Sequence, residues 1–424
     1  MEMKKYRLGE IAQLGSGSTP TSSIREYYDG GTIPWINSGE LSNPFIAETN
    51  NYITELGFKH SSTKMYKKND TVLLAMYGAT AGKASLLQID ACTNQAICAI
   101  IPNKDVVEPV ILKYKLDTIY QYLVKISTGS ARDNLSQKGI SNLEISLPNL
   151  DIQRKIAAVL TALDDKIALN RRINAKLEQM AKRLYDYWFV QFDFPNAEGK
   201  PYKSSGGKMV WNEQLKREIS EGWDVKNIGS VISKIASGKR PAGGIDKKLK
   251  EGIPSLGAEC IDELGVFDYK KTPFIPFSFE SSISSGIIED GDILVYKDGA
   301  YVGKTTLFQD EFPFKVAYVN EHVFLIHTKR ENLKEYLLFT LKNPTYFEIM
   351  QRLGKAKAAQ PGLNQDDLCG IPIIIPSDEI LNKYNASVKD LFHLLFKKSL
   401  ETARLTALRD KLLPLLMNGQ VTVK

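Results

Sequence analysis

The chain has 424 residues, with 55 Lys and Arg against 49 Asp and Glu and a net charge of +6. That length allows roughly two to four domains, and the 43% apolar share is ordinary for a globular protein. No apolar run approaches the ~20 residues of a membrane span, and no signal-type stretch follows Met1-Glu2-Met3-Lys4-Lys5. The four cysteines (Cys92, Cys98, Cys260, Cys369) lack CxxC spacing, so reduced thiols and a cytoplasmic location without membrane contact are expected.

Residues 1–150 begin with Leu8-Gly9-Glu10-Ile11, Ser16-Gly17, Pro20 and Ile33-Pro34, short β-type runs broken by turn residues. Thr71 to Tyr77 reads as a strand ending at the turn Gly78-Ala79-Thr80-Ala81-Gly82-Lys83, and Pro109 to Lys125 as helix. Such a mixture predicts an α+β domain around a mixed or antiparallel sheet.

Over residues 151–190 the period changes. Ile156, Leu160, Leu163, Ile167, Asn170, Asn174, Leu177, Ala181, Leu184 and Trp188 recur at spacings of four and three, the signature of a coiled-coil seam whose asparagines set register. Residues 191–226, with Lys203-Ser204-Ser205-Gly206-Gly207-Lys208, read as a surface connector. Residues 227–376 then restate the first domain: Ile228-Gly229-Ser230-Val231, Ser237-Gly238, Pro241, Ile253-Pro254, the strand Asp292 to Tyr296, Gly299 to Lys304, and helix from Asn332 to Leu341. Asn94-Gln95 returns as Asn320-Glu321, and Leu135-Ser136-Gln137 as Leu363-Asn364-Gln365. The offset drifts from 220 to 228 residues, as loop insertions in a tandem duplication produce. Residues 377–424 supply a second long helix with the seam Val388, Leu391, Leu395, Lys398, Thr402, Leu405, Leu408, Leu412 and Leu415, and Pro414 is expected to kink or thin its end.

The predicted architecture is therefore two tandem α+β domains with mixed β-sheets, related by a pseudo-two-fold internal repeat and separated by two long antiparallel coiled-coil helices. A helix of about 38 residues is ~57 Å long, and a turn of DNA is ~34–36 Å. A strut of that length suits two readers on separate groove segments. Each helical stretch carries eight bases against five acids, a mild excess that a solvated basic face would also show.

The catalytic motifs are incomplete. Gly299-Ala300-Tyr301-Val302-Gly303-Lys304-Thr305 has three residues between its glycines where a phosphate loop needs four, and the first copy has Ala84 where the magnesium-binding hydroxyl belongs. Asn43-Pro44-Phe45 and Asn343-Pro344-Thr345-Tyr346 fall short of a base-methyltransferase loop. Asp193 with Glu198 and Lys200 lies in the polar connector and has no second copy, and His60, His322, His327 and His393 are scattered, so no metal site follows. Two loops before the long helices, 127–138 and 353–365, keep basic, amide and hydroxyl chemistry while changing their letters, as readers of two different half-sites should.

Asp151-Ile152-Gln153-Arg154-Lys155-Ile156-Ala157-Ala158-Val159-Leu160, then Leu163-Asp164-Asp165-Lys166-Ile167, resembles the central helix of type I restriction–modification specificity subunits. So do Ile33-Pro34-Trp35-Ile36, Gly39-Glu40-Leu41 and the terminal Leu412 to Gly419, whereas Asp378-Glu379-Ile380 departs from the usual Gln-Arg-x-Ile-Ala start. The resemblance implies a non-catalytic adaptor with two target-recognition domains, each reading half of a bipartite, asymmetric double-stranded DNA site. It further implies two modification (methyltransferase) subunits that carry S-adenosylmethionine and, where present, two restriction (translocase-nuclease) subunits that use ATP and Mg, with no cofactor in this chain. DNA contacts are expected from Lys83, Ser130, Arg132, Asn134 and Gln137 in the first reader, and from Lys239, Arg240, Lys304, Lys355, Lys357 and Gln360 in the second. The competing readings are a self-contained DNA adenine methyltransferase or ATP-binding enzyme, and a coiled-coil scaffold indifferent to DNA.

Overall fold

The computed structural model describes residues 2–128, 135–241, 244, 249, 251–257, 260–261, 263–283, 285–299, 302–355 and 362–423. It is a mixed helix-and-sheet structure that divides into two compact units, residues 1–166 with 405–424, and residues 167–404. Four helices organise them: α1 (Pro109–Thr118), α2 (Leu150–Tyr185), α3 (Lys334–Lys342) and α4 (Asp378–Met417). None is long and apolar enough to cross a membrane.

In unit 1 the main sheet uses β1 (Ala12–Ser16), β3 (Phe45–Ile46), β5 (Val72–Ala75), β6 (Ala84–Leu87) and β8 (Ile97–Pro102), in the order β1-β8-β5-β6-β3; a second, three-stranded sheet places β2 (Ile33–Ile36) between β4 (Tyr52–Ile53) and β7 (Cys92–Thr93). Strand β2 runs antiparallel to β4 and parallel to β7. The central strands are buried on both faces, which explains continuous apolar runs such as Val72-Leu73-Leu74-Ala75. Strand Lys4–Arg7 pairs with Glu144–Leu147, which leads directly into α2.

Unit 2 repeats much of this plan. Strands β9 (Ile232–Ala236), β12 (Ile293–Tyr296), β13 (Thr305–Leu307) and β15 (Val323–Thr328) lie in the order β9-β15-β12-β13, and β10 (Ile253–Leu256) sits between β11 (Phe274–Ile275) and β14 (Tyr318–Val319). Again the middle strand is antiparallel to one neighbour and parallel to the other. Asp224–Asn227 pairs with Pro372–Ile375, which leads into α4.

The long helices pack differently in the two units. In unit 1, Ile156 and Leu160 of α2 share a core with Leu412, Leu413, Leu416 and Met417 of α4 and the inner face of α1. Within it Asp164 accepts a hydrogen bond from the Tyr114 hydroxyl and lies 2.8 Å from Arg409 Nη1. Lys115 Nζ donates to the Met417 carbonyl at 3.2 Å, satisfying an orphan acceptor at the end of α4. In unit 2, Asn174 Nδ2 donates to Ser399 Oγ at 2.8 Å, and Tyr384 Oη donates to the Ala181 carbonyl at 3.4 Å, so later residues of α2 meet earlier residues of α4. Around them Tyr185, Trp188, Phe189, Tyr384, Phe392 and Phe396 form an aromatic core.

Of the seam residues, Ile156, Leu160, Ile167, Asn170, Asn174, Leu177 and Leu395 are buried, and Leu163, Leu184, Leu391, Leu405 and Leu412 are half-buried. Leu408 is a correction, because it is 45% exposed. Arg409 turns inward to Asp164, and at 100° per residue its neighbour is carried outward. Helix α4 continues through Pro414 to Met417.

The connector also differs from its expected surface course. Phe192, Phe194, Ile219 and Trp223 are buried, and Met209–Asn212 pairs with Arg217–Ser220 in a hairpin. A few aromatic residues set in Gly-, Ser- and Lys-rich surroundings are enough to dock the segment on the core of unit 2. Asp193 accepts from the Ser204 hydroxyl and amide at 2.6 and 2.7 Å, bonds that hold its carboxyl below the usual range and give it a loop-bracing role.

Candidate nucleic-acid interface

Each unit presents an edge made of a Gly-bounded turn, a loop after the first strand of the main sheet, and a short asparagine-braced loop, with the turn and the asparagine loop closed by equivalent hydrogen bonds in both units. In unit 1 the turn after β5 is closed by Gly82 N–H to the Ala75 carbonyl at 2.9 Å and Ala75 N–H to the Lys83 carbonyl at 3.0 Å. In unit 2, Gly303 N–H donates to the Tyr296 carbonyl and Tyr296 N–H to the Lys304 carbonyl, both at 2.8 Å. Gly78 and Gly82 have φ of 82° and 81°, and Gly299 and Gly303 have φ of 68° and 89°. This left-handed region favours glycine, so the glycines that resemble a phosphate loop are needed for the turn itself. Thr305 is buried, and its hydroxyl donates to the Gly303 carbonyl at 3.0 Å rather than facing outward as a magnesium ligand must.

The second shared element is a close approach. A Cβ at Gly17 would lie 1.7 Å from the Thr93 carbonyl oxygen, and one at Gly238 would lie 1.6 Å from that of Val319. Only glycine lets β1 and β9 run into loops pressed against the last residues of β7 and β14, next to the residues that follow them. Those residues form one turn type, Asn94 Oδ1 accepting from Ala96 N–H at 3.1 Å and Asn320 Oδ1 from His322 N–H at 2.9 Å.

On this common frame the side chains diverge. Unit 1 carries Thr19, whose hydroxyl donates to Gln95 Oε1 at 2.6 Å, and an exposed Tyr77. Unit 2 carries Arg240, with Nε 3.0 Å from Glu321 Oε2 in an ion pair lacking hydrogen-bond alignment, and Asp298, whose Oδ2 is 2.8 Å from His322 Nδ1.

The expected contact residues fall on and around these edges. Lys83 is exposed on its turn, with Nζ 4.2 Å above the Tyr120 ring, a cation–π contact that fixes its direction. Lys239 is exposed and Arg240 half-exposed on the loop after β9. Lys304 borders a surface depression with Glu263, Thr305, Lys342 and Phe347. Lys355 is exposed at the end of helix Pro344–Lys355. Gln137 is half-exposed at the start of helix Gln137–Ser141, and it shares no hydrogen bond, ion pair or ring contact with Lys83. Ser130, Arg132, Asn134, Lys357 and Gln360 lie outside the described residues.

The repeated Leu-Ser-Gln and Leu-Asn-Gln triplets have a structural explanation. Leu135 and Leu363 are buried, and Ser136 and Asn364 cap the short helices that follow by accepting from Gly139 N–H at 3.2 Å and Asp367 N–H at 2.7 Å. Sequence reading missed Thr19, Tyr77, Gln95, Asp298, Glu321 and His322 as edge residues. The signal was a paired change between repeat positions, Thr to Arg and Gln to Glu, at two places far apart in sequence. Among the described residues no group of three or more His, Cys, Asp or Glu is placed to hold a metal ion.

A family model for the type I restriction modification DNA specificity domain matches residues 1–179 and 220–401. The chain belongs to the type I restriction–modification DNA specificity family. Members of this family are the specificity components of their systems and are not catalytic; catalysis lies in partner subunits. The type I restriction enzyme MjaIX specificity subunit of Methanocaldococcus jannaschii is 30% identical across 100% of this chain and 94% of its own length. The HindI specificity subunit of Haemophilus influenzae is 25% identical over 99% of this chain and 100% of its own. In fold, the crystal structure of the type I restriction–modification S subunit from M. genitalium aligns over 98% of this chain and 96% of its own with a TM-score of 0.60 at 15% identity.

Proposed function

We propose that this specificity subunit reads a bipartite, asymmetric double-stranded DNA target, with residues 1–150 and 227–376 as two tandem target-recognition domains that each engage one half. Helices α2 and α4 act as an antiparallel coiled coil that fixes the gap between the halves and docks two modification subunits. Those partners supply S-adenosylmethionine and methyl transfer, and restriction subunits, where present, supply ATP- and Mg-dependent steps, all in the cytoplasm. Lys83, Gln137, Lys239, Arg240, Lys304 and Lys355 contribute DNA contacts, as do Ser130, Arg132, Asn134, Lys357 and Gln360.

The observation that carries this reading is the pair of edges with one backbone plan and two side-chain chemistries. A repeated frame supports a common way of meeting the duplex, and divergent side chains support different base sequences, since bases specify while phosphates only position. The test is selection of bound sequences from a random duplex pool by the full chain with an adenine methyltransferase partner. Two unlike half-sites separated by a fixed gap are expected. A single contiguous motif, or binding indifferent to sequence, would overturn the reading.

A further inference from the structure

The strand registers align the two edges residue by residue. Ser16 pairs with Cys98 and Gly15 with Ala99 in unit 1, and Ala236 pairs with Leu325 in unit 2. With Gly17 and Gly238 each closing on the carbonyl that ends its short strand, Thr19 corresponds to Arg240 and Gln95 to Glu321. The Thr19–Gln95 hydrogen bond and the Arg240–Glu321 ion pair thus occupy one position in two copies of the frame. Both pairs are accessible: Thr19 and Gln95 are exposed, and the Arg240 and Glu321 side chains keep 28% and 43% of their surface.

We propose that these are equivalent base-reading pairs, Thr19–Gln95 for an A·T pair in one half-site and Arg240–Glu321 for a G·C pair in the other. The proposal rests on the reading that each unit engages one half-site, and it names the chemistry each unit selects. A carboxamide matches N6 and N7 of adenine, and a threonine methyl packs against the thymine methyl. A guanidinium matches O6 and N7 of guanine, and a carboxylate accepts from N4 of cytosine.

Charge separates this role from phosphate binding. Glu321 cancels the charge of Arg240 and repels a phosphate, so the pair adds little to backbone attraction. The contact between the two side chains restrains both before DNA arrives, which lowers the ordering cost of binding. Lys239 beside them, exposed, is the better phosphate ligand.

The experiment maps methylated sites in cells that carry the full chain with its modification subunit. One exchange variant combines Arg240→Thr with Glu321→Gln, the other Thr19→Arg with Gln95→Glu. Each should convert one base pair of one half-site, G·C to A·T in the first case and A·T to G·C in the second, leaving the other half and the gap unchanged. The near-isosteric single changes Glu321→Gln and Gln95→Glu are measured alongside, so that a double variant that fails to fold does not decide the matter. Each single change should relax preference at its position roughly tenfold or more. Unchanged preference in the singles, or changes in both halves at once, overturns the pairing. A wild-type motif that is not bipartite overturns instead the reading on which the pairing rests.

Discussion

At equivalent positions unit 1 uses hydroxyls and amides where unit 2 uses acidic and basic side chains. Thr19–Gln95 stands against Arg240–Glu321, Tyr77 against Asp298 with His322, and the buried Thr71 against the buried Asp292 with His327. On the long helices the order reverses, with Asp164–Arg409 in unit 1 and the neutral Asn174–Ser399 in unit 2. The difference separates what the frame demands from what it tolerates. Glycine turns, strand register and asparagine-braced loops are shared because the backbone requires them. Chemistry diverges at the exposed edges and also at the buried Thr71 and Asp292, and on the helices each unit keeps a buried polar contact but chooses its own.

The largest effect should come from the ionic helix contact. Burial, and then the neighbouring Asp164, hold the Tyr114 phenol protonated far above its ordinary range, while Arg409 supplies the counter-charge. Arg409→Met leaves the Asp164 carboxylate buried without its cation and should cost about 3–5 kcal/mol of stability. Adding Asp164→Asn should recover much of that loss, and denaturant midpoints would show both changes. A single variant as stable as wild type would mean that the ionic contact adds nothing to stability.

In unit 2 the corresponding change is milder. Asn174→Ala removes a neutral hydrogen bond whose partner, Ser399 Oγ, also donates to the Leu395 carbonyl at 3.0 Å, so about 1 kcal/mol is expected in the same measurement. Equal losses for Asn174→Ala and Arg409→Met would erase the contrast between the units.

The Thr71–Asp292 contrast is smaller and depends on pH. Burial, countered by the Glu289 amide and His327, raises the Asp292 carboxyl above its ordinary 3.8. The folded state then holds this proton more tightly than the unfolded chain, so stability falls as pH rises from the ordinary carboxylate pKa through the raised one. Asp292→Asn should remove that component, and its stability relative to wild type should rise across the same window. Thr71→Val in unit 1 should shift stability by the same amount at every pH. The smallest effect belongs to the exposed Thr19 and Gln95, whose exchange should move stability by no more than about 0.5 kcal/mol while altering specificity.

Much of the frame was legible in the sequence. Val72–Ala75 and Ile293–Tyr296 fall within the apolar runs that predict them, and the first long helix ends within three residues of its periodic pattern. The face of α4 was less so, because leucine spacing cannot show that Arg409 turns inward to a partner more than 200 residues away and carries Leu408 outward. The connector was hidden by composition, since four apolar residues within a polar segment decide its course. The edge residues were hidden because Thr19 and Gln95 meet only after β1 and β8 pair.

The central claim, one unit for each half of the target, is tested most directly by site-specific photo-crosslinking. A photo-reactive phenylalanine analogue is placed at Tyr77, and separately at Lys239, in the full chain bound with its modification subunit to DNA carrying the methylated motif. The account predicts crosslinks from Tyr77 confined to one half-site and crosslinks from Lys239 confined to the other. Crosslinks from both positions to the same half-site would contradict it.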